Sequence, residues 1–184
     1  MFVLGVDPGV TGAAVLVDTT AMEVVDWLDL PIVRDGETVW VDGALVLDWI
    51  EERPPTRAIF ERVNYWKGDP HPGRTSIMIG IARSMASLLL AANVPVNHIQ
   101  PSAWKKRAGL KERSEAAAIS LARARLRWPE GGCHLIKHHN RAEAALIAVH
   151  GPTPTAPPKP PRRSKTVDRL AAENLPAGPL FRGA

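Results

Sequence analysis

The chain has 184 residues, 45% of them hydrophobic and 23% charged, with a net charge of +4. One domain of that length can bury a single sizeable core. Cys133 is the only cysteine, which excludes an internal disulfide and favours a reducing, cytoplasmic setting with an inert, semi-buried thiol. No run approaches the ~18 apolar residues of a membrane span, and no basic-then-apolar signal segment opens the chain, so no membrane is expected as a partner.

Charge is segregated along the chain. Residues 1–52 carry eleven Asp and Glu against one cation, Arg34. Residues 53–150 carry sixteen Lys and Arg against six acids, and residues 151–184 add six cations against two acids. A chain so divided can present one strongly positive face, which suits a polyanion such as nucleic acid.

Phe2–Val17 (FVLGVDPGVTGAAVLV) reads as strand, tight turn and strand, with Asp7 where the first strand opens into the turn. Gly9 and Gly12 are expected to supply positive φ. A carboxylate at Asp7 needs water, backbone N–H groups or a cation to compensate it. Met22–Leu30 alternates apolar and acidic residues, a third strand. Pro31 and Asp35-Gly36 mark turns. Asp42 then caps an amphipathic helix with Leu45, Val46, Trp49 and Ile50 on one face.

Ala58–Val63 (AIFERV) is a short strand with Glu61 near its end, followed by a turn-rich loop, Asn64–Thr75. Ser76–Ala92 is a helix apolar almost all round, the mark of deep burial or of a subunit interface. Val94–Ile99 is a strand, and Pro101–Arg107 and Arg113–Trp128 are basic helices separated by Gly109. Lys137–His150 is the last helix of the folded part. Six prolines between Pro152 and Pro161 then give an extended, flexible linker, with a short helix beyond it at Thr166–Leu175. The domain thus covers residues 1–150 and the Pro-rich basic tail residues 151–184. Three strands as a meander, then strands reached through helices, give an α/β mixed sheet with helices on both faces.

If the strands carrying Asp7 and Glu61 are neighbours, both carboxylates converge at one edge. The last helix adds His139 and Glu143, four residues apart on one face, with Asn140 on that face too. Carboxylates and an imidazole meeting at one point suit two divalent cations acting on a phosphodiester. The plainer alternatives are Glu61 paired with Arg57 or Arg62, and His139 with Glu143 as a surface pair.

The combination GVDPGVTGAAVL, IFERV, PVNHIQPSAWKKRAGLKERSEAA and HNRAEAALIA resembles the RuvC-type Holliday junction resolvases, particularly their phage-like branch, over roughly Phe2–Val149. The resemblance implies an RNase H-like five-stranded sheet. It also implies a homodimer that nicks two opposed strands of a four-way DNA junction with Mg²⁺ or Mn²⁺, two ions per site. Asp7 and Glu61 match the first two acidic ligands and Glu143 the last. The third acid of the family falls in His138-His139-Asn140, where His139 is the choice for the ligand and Asn140 the alternative. Lys105 or Lys106 matches a catalytic lysine near the scissile phosphate. A second family lysine falls at Ser114, with Lys111 or Arg113 as substitutes.

The same reading assigns DNA contacts to Tyr65, Trp66, Lys67 and Arg74 of the long loop. It adds Lys105, Lys106, Arg107, Lys111 and Arg113 of the basic stretch. Dimerisation is expected through Ser76–Ala92, and salt-sensitive DNA affinity from the tail. Two competing classes remain at this stage. One is a branched-DNA-binding protein of the same fold with little or no catalysis. The other is an actin-like ATP-binding domain, which D-P-G-V-T-G also resembles but for which the chain is short.

Overall fold

The computed structural model describes residues 1–65, 67–110 and 114–152. The tail and its suggested helix, with Trp66, Lys111 and Arg113, lie outside the described residues.

The opening hairpin forms as its sequence demands. β1 (Phe2–Asp7) and β2 (Ala13–Asp18) pair antiparallel with Asp7 opposite Ala13, and β3 (Glu23–Asp29) adds to β2. Gly9 and Gly12 are not among the glycines with positive φ, so the expected conformational reason fails. Space is the reason at Gly12. A Cβ there would lie 2.2 Å from the Asp7 carbonyl oxygen and 2.6 Å from the Gly9 nitrogen. Only a bare backbone closes this turn.

A small hairpin follows, β4 (Ile32–Asp35) and β5 (Thr38–Val41), turning at Gly36 with φ 56°. Two four-residue strands around Asp35-Gly36 are short enough that the turn signal alone was legible in the sequence. Asp42 caps α1 (Gly43–Glu52) through its carboxylate, which accepts from the Ala44 and Leu45 amides. β6 (Arg57–Glu61) and β7 (Val96–Ile99) complete the sheet, joined by α2 (Pro72–Ala91). Strand order is β3-β2-β1-β6-β7, with β1, β6 and β7 mutually parallel. The mixed five-stranded sheet is therefore the expected one.

Helices cover both faces, so the central strands are apolar on both sides rather than alternating. On one face α1 and α2 pack over Leu4, Val6, Ala58 and Phe60. On the other, α3 (Pro101–Ala108), α4 (Glu115–Arg125) and α5 (His139–His150) pack over Val3, Val15 and Ile59. α5 lies unusually close to β1. A Cβ at Gly5 would meet the Ala144 carbonyl oxygen at 1.9 Å and the Ala148 nitrogen at 2.7 Å. The run of buried alanines 142, 144, 145 and 148 provides the matching flat surface.

α2 corrects one expectation. By length and composition alone it is apolar enough to cross a membrane. Here Ile81, Met85 and Leu89 are buried against the sheet, while Ser76, Gly80, Arg83, Ser87 and Leu90 form an exposed stripe. The helix read as apolar almost all round thus buries one face and exposes the other. Cys133 is buried and its thiol is pushed up to about 11 by desolvation, the inert state expected.

Candidate active site

Strand periodicity builds the site. Along β1, Val3 and Gly5 face α5, and Asp7 is the next residue of that parity. Along β6, Ile59 faces the same side, and Glu61 follows it. The two strands are parallel neighbours in register at Val6 and Phe60, so Asp7 and Glu61 end side by side. From α5 above them comes Glu143, whose helix is held down by the Gly5 contact. These three carboxylates share one electrostatic neighbourhood. Burial raises Asp7 well above the usual carboxylate range, with Glu61 and then Glu143 adding to it. Burial also raises Glu61, opposed by an indole hydrogen bond, with Glu143 again adding.

Two residues of α3 answer that charge. Lys105 Nζ lies 3.0 Å from Glu143 Oε1 and pulls against the rise at both Asp7 and Glu61. The same ammonium sits 5.0 Å from the centroid of the Trp104 ring. Trp104 is fully buried and donates its indole N–H to Glu61 Oε2 at 2.6 Å. Of the two lysines read from the sequence, Lys105 is therefore the one at the carboxylates, and Lys106 is exposed. Trp104 was missed. Its signal was the Trp-Lys-Lys step in a short helix, where a tryptophan one residue before Lys105, about 100° round the helix, turns into the core beside it.

The plainer alternatives for Glu61 do not hold. Arg57 donates to the Pro152 carbonyl instead, and Glu61 makes no ion pair with Arg62 among the described residues. On α5 the candidates part company. His139 Nε2 lies 3.7 Å from Glu115 Oε1 at the start of α4, and its Nδ1 lies 3.1 Å from the Ile136 carbonyl oxygen. Asn140 instead donates to the Thr11 carbonyl, with the Thr11 hydroxyl 3.2 Å away. Asn140 is thus tied to the turn that follows Asp7, and His139 to α4.

The nucleic-acid candidates divide similarly. Tyr65 and Arg74 line a cavity of about 460 Å³ that begins at Glu61 and includes Arg62 and His71. Tyr65 is 55% exposed, free to present its ring. Lys67 is exposed in the same loop. Arg107 is engaged at the far end of α5, donating to the His150 carbonyl. A wider groove of about 790 Å³ continues from Glu61 along the exposed stripe of α2, past Arg83 and His98.

Three carboxylates are hard oxygen donors of the kind Mg²⁺ and Mn²⁺ prefer. Two of them are lifted by burial and mutual repulsion, which a bound cation would relieve. The donor chemistry fits a divalent metal. Among the described residues no three such side chains are already drawn together as a formed metal cluster, and Lys105 supplies the neutralising charge.

Comparison with solved structures gives the same architecture. Thermus thermophilus RuvC aligns with a TM-score of 0.56 at 18% identity, covering 82% of this chain and 92% of that one. T. thermophilus RuvC in complex with a Holliday junction substrate gives 0.53 at 16% identity, over 82% and 92%. The fold is that of the RuvC-type resolvases. The yeast mitochondrial Holliday junction resolvase also aligns, at 0.52 and 18% identity, over 80% of this chain and 76% of that one. No family model and no curated protein matches the sequence. At such identities the RuvC likeness is one of backbone architecture.

Proposed function

We propose that this protein is a metal-dependent endonuclease that resolves four-way DNA junctions by paired symmetric nicks. What supports the reading is that Asp7, Glu61 and Glu143 share one electrostatic neighbourhood at a sheet edge, with Lys105 3.0 Å from Glu143, on a RuvC-type fold. Its structural neighbours include a RuvC bound to a Holliday junction substrate. Asp7, Glu61 and Glu143 would hold Mg²⁺ or Mn²⁺, with Asn140 or His139 completing the set. Such cations supply Lewis-acid polarisation of a phosphodiester and neutralise charge on the departing oxygen.

The chain's own groups supply the rest. Trp104 fixes one oxygen of Glu61 and leaves the other to face the site. Lys105 brings a fixed ammonium to the place where a phosphate's charge develops, the kind of preorganised electrostatics that contributes most to phosphoryl transfer. Tyr65, Lys67 and Arg74 border the groove leading from Glu61, where an aromatic ring can stack on an unstacked base. Two copies related by a two-fold axis would match the two-fold symmetry of a junction, and the exposed stripe of α2 is the surface offered for it.

A specific observation favours a second reading. Glu143 is already paired with Lys105, and an amide, Asn140, occupies the turn side of α5. A branched-DNA-binding protein without cleavage would look the same. The deciding experiment incubates the protein with a labelled mobile four-way junction, a Y-fork and a linear duplex, with and without Mg²⁺ or Mn²⁺. Paired nicks at symmetric positions of the junction, absent in Asp7→Asn, support the nuclease. Tight junction binding with no nicking, and no heat on titrating Mn²⁺, supports the second reading.

A further inference from the structure

A separate cavity of about 260 Å³ lies on the β3 side of the Asp7 turn. Its lining includes Thr11, Gly12, Lys137, His138, Asn140 and Arg141. We propose that it is a phosphate subsite that receives a phosphodiester flanking the one facing Asp7, which rests on the nucleic-acid reading above.

The cavity is rich in hydrogen-bond donors. His138 is only 6% exposed. Its Nδ1 accepts from the backbone N–H groups of His134 and Leu135, at 3.3 and 3.4 Å. That fixes the tautomer and puts the ring's proton on Nε2, which makes no hydrogen bond among the described residues. That N–H is available to an acceptor oxygen entering the cavity that the ring lines. Thr11 Oγ1 is 3.2 Å from the donating Asn140 amide, which leaves its hydroxyl proton to point elsewhere.

Charge in the cavity also favours an anion. The one carboxylate in the lining, Asp29, is spent on Arg141, whose Nε reaches Oδ1 at 2.6 Å and whose Nη2 takes the other oxygen. That bidentate pairing holds Asp29 below its ordinary range. Lys137 is exposed and is the surplus cation. A neutral N–H, a hydroxyl and an ammonium around a cavity with no free carboxylate suit a tetrahedral anion with several acceptor oxygens. The Asn140–Thr11 contact joins this cavity to the Asp7 turn, so a strand crossing the sheet edge would span both.

The test uses the full chain and a fluorescent four-way junction in EDTA, with a linear duplex beside it, over a range of salt. Lys137→Gln should reduce the slope of log K against log salt by about 0.9, one phosphate's worth. His138→Phe keeps a ring but loses the N–H, and should weaken binding about tenfold, the loss of one hydrogen bond to a charged group, with the slope nearly kept. A scan of single methylphosphonate substitutions localises the contact. One position should weaken wild-type binding and be indifferent in His138→Phe. Should His138→Phe fail to fold by circular dichroism, the same scan on Lys137→Gln, a surface change, decides.

Both variants weakening duplex and junction alike would keep the subsite and remove the junction preference from the function. Unchanged affinity and slope in folded variants would overturn the subsite. A shift of the His138 imidazole resonance with inorganic phosphate, alongside unchanged DNA binding in both variants, would assign the cavity to free phosphate and likewise overturn it.

Discussion

The indole N–H of Trp104 donates to Glu61 Oε2 at 2.6 Å, from a side chain with no exposed surface. A hydrogen bond to a carboxylate favours its charged form, so Trp104 opposes the burial that raises Glu61. Trp104→Phe keeps the ring's bulk in the core and removes the donor. Glu61 should then rise further, and more base is needed to ionise it. Mn²⁺ affinity is expected to drop about tenfold, the size of one hydrogen bond to a charged group, and the acid limb of the pH–rate profile should move to higher pH. Calorimetric Mn²⁺ titration and nicking rates at several pH values check both. Unchanged values in a folded variant would reduce Trp104 to packing.

Lys105 separates two roles that one number would confuse. Its ammonium lies 3.0 Å from Glu143 Oε1, in competition with any cation that uses that oxygen. Lys105→Met should therefore tighten Mn²⁺ binding while slowing nicking by about 10²–10³, the usual cost of losing a preorganised charge at a developing anion. A variant that binds metal more weakly as well as cutting more slowly would contradict the competition.

Asp7 stores an instability that a metal-binding role would explain. Its carboxyl is raised by burial and by Glu61 and Glu143. A folded-state pKa above the unfolded one means stability that is present in acid and lost as pH rises through the folded value. Metal-free protein should thus melt at lower temperature as pH climbs out of the acid range. Asp7→Asn removes the charge and should melt higher at neutral pH. Each 1 kcal/mol gained is worth about 2–4 °C in a chain of this size. Mn²⁺ should raise the melting temperature of the wild type and barely move the variant. Differential scanning calorimetry in EDTA and in Mn²⁺ reads both effects. A lower melting point for Asp7→Asn in EDTA would mean the carboxylate has a partner that compensates it.

Most of the fold was legible because burial on two faces leaves a plain record. The apolar runs at Phe2–Asp7, Ala13–Asp18 and Arg57–Glu61, the Asp42 cap and Gly109 with φ 71° closing α3 all follow local rules. The carboxylates Asp7 and Glu61 were legible for the same reason, as acids ending apolar strands. Trp104 was not, since a tryptophan in a basic helix gives no sign of which carboxylate its N–H will meet. Nor was the difference between His139 and Asn140. Adjacent helical residues diverge by about 100°, a rotation that periodicity alone cannot anchor to a neighbouring strand.

That difference makes a sharp prediction. His139 meets Glu115 at 3.7 Å, and Asn140 donates to Thr11 beside Asp7. His139→Ala should cost less than about threefold in nicking, since an exposed pair contributes little. Asn140→Ala should cost more, by loosening the turn that carries Asp7. Asn140→Asp should tighten Mn²⁺ binding by restoring a carboxylate at that point. A loss greater than tenfold in His139→Ala, with Asn140→Ala near wild type, would return the ligand role to the imidazole.

The exposed stripe of α2 supplies the last test. Ser76, Gly80, Arg83, Ser87 and Leu90 recur every three or four residues on the face opposite Ile81, Met85 and Leu89. Small residues at Ser76, Gly80 and Ser87 allow a second helix to approach closely, and Leu90 leaves 58% of its surface to water. Burying apolar area contributes roughly 25 cal/mol per Å², so one leucine and its half-buried neighbours Ile79 and Ala86 make a modest but localised gain. Light scattering should report a dimer at micromolar concentration. Gly80→Arg and Leu90→Glu place bulk and charge in the stripe without touching the sheet-facing side, and should give folded monomers. Such monomers should still bind a junction while converting paired nicks into single, uncoordinated ones. A dimer that survives both substitutions would move the interface elsewhere, and a monomeric wild type that nonetheless makes paired nicks would dispense with the two-fold arrangement altogether.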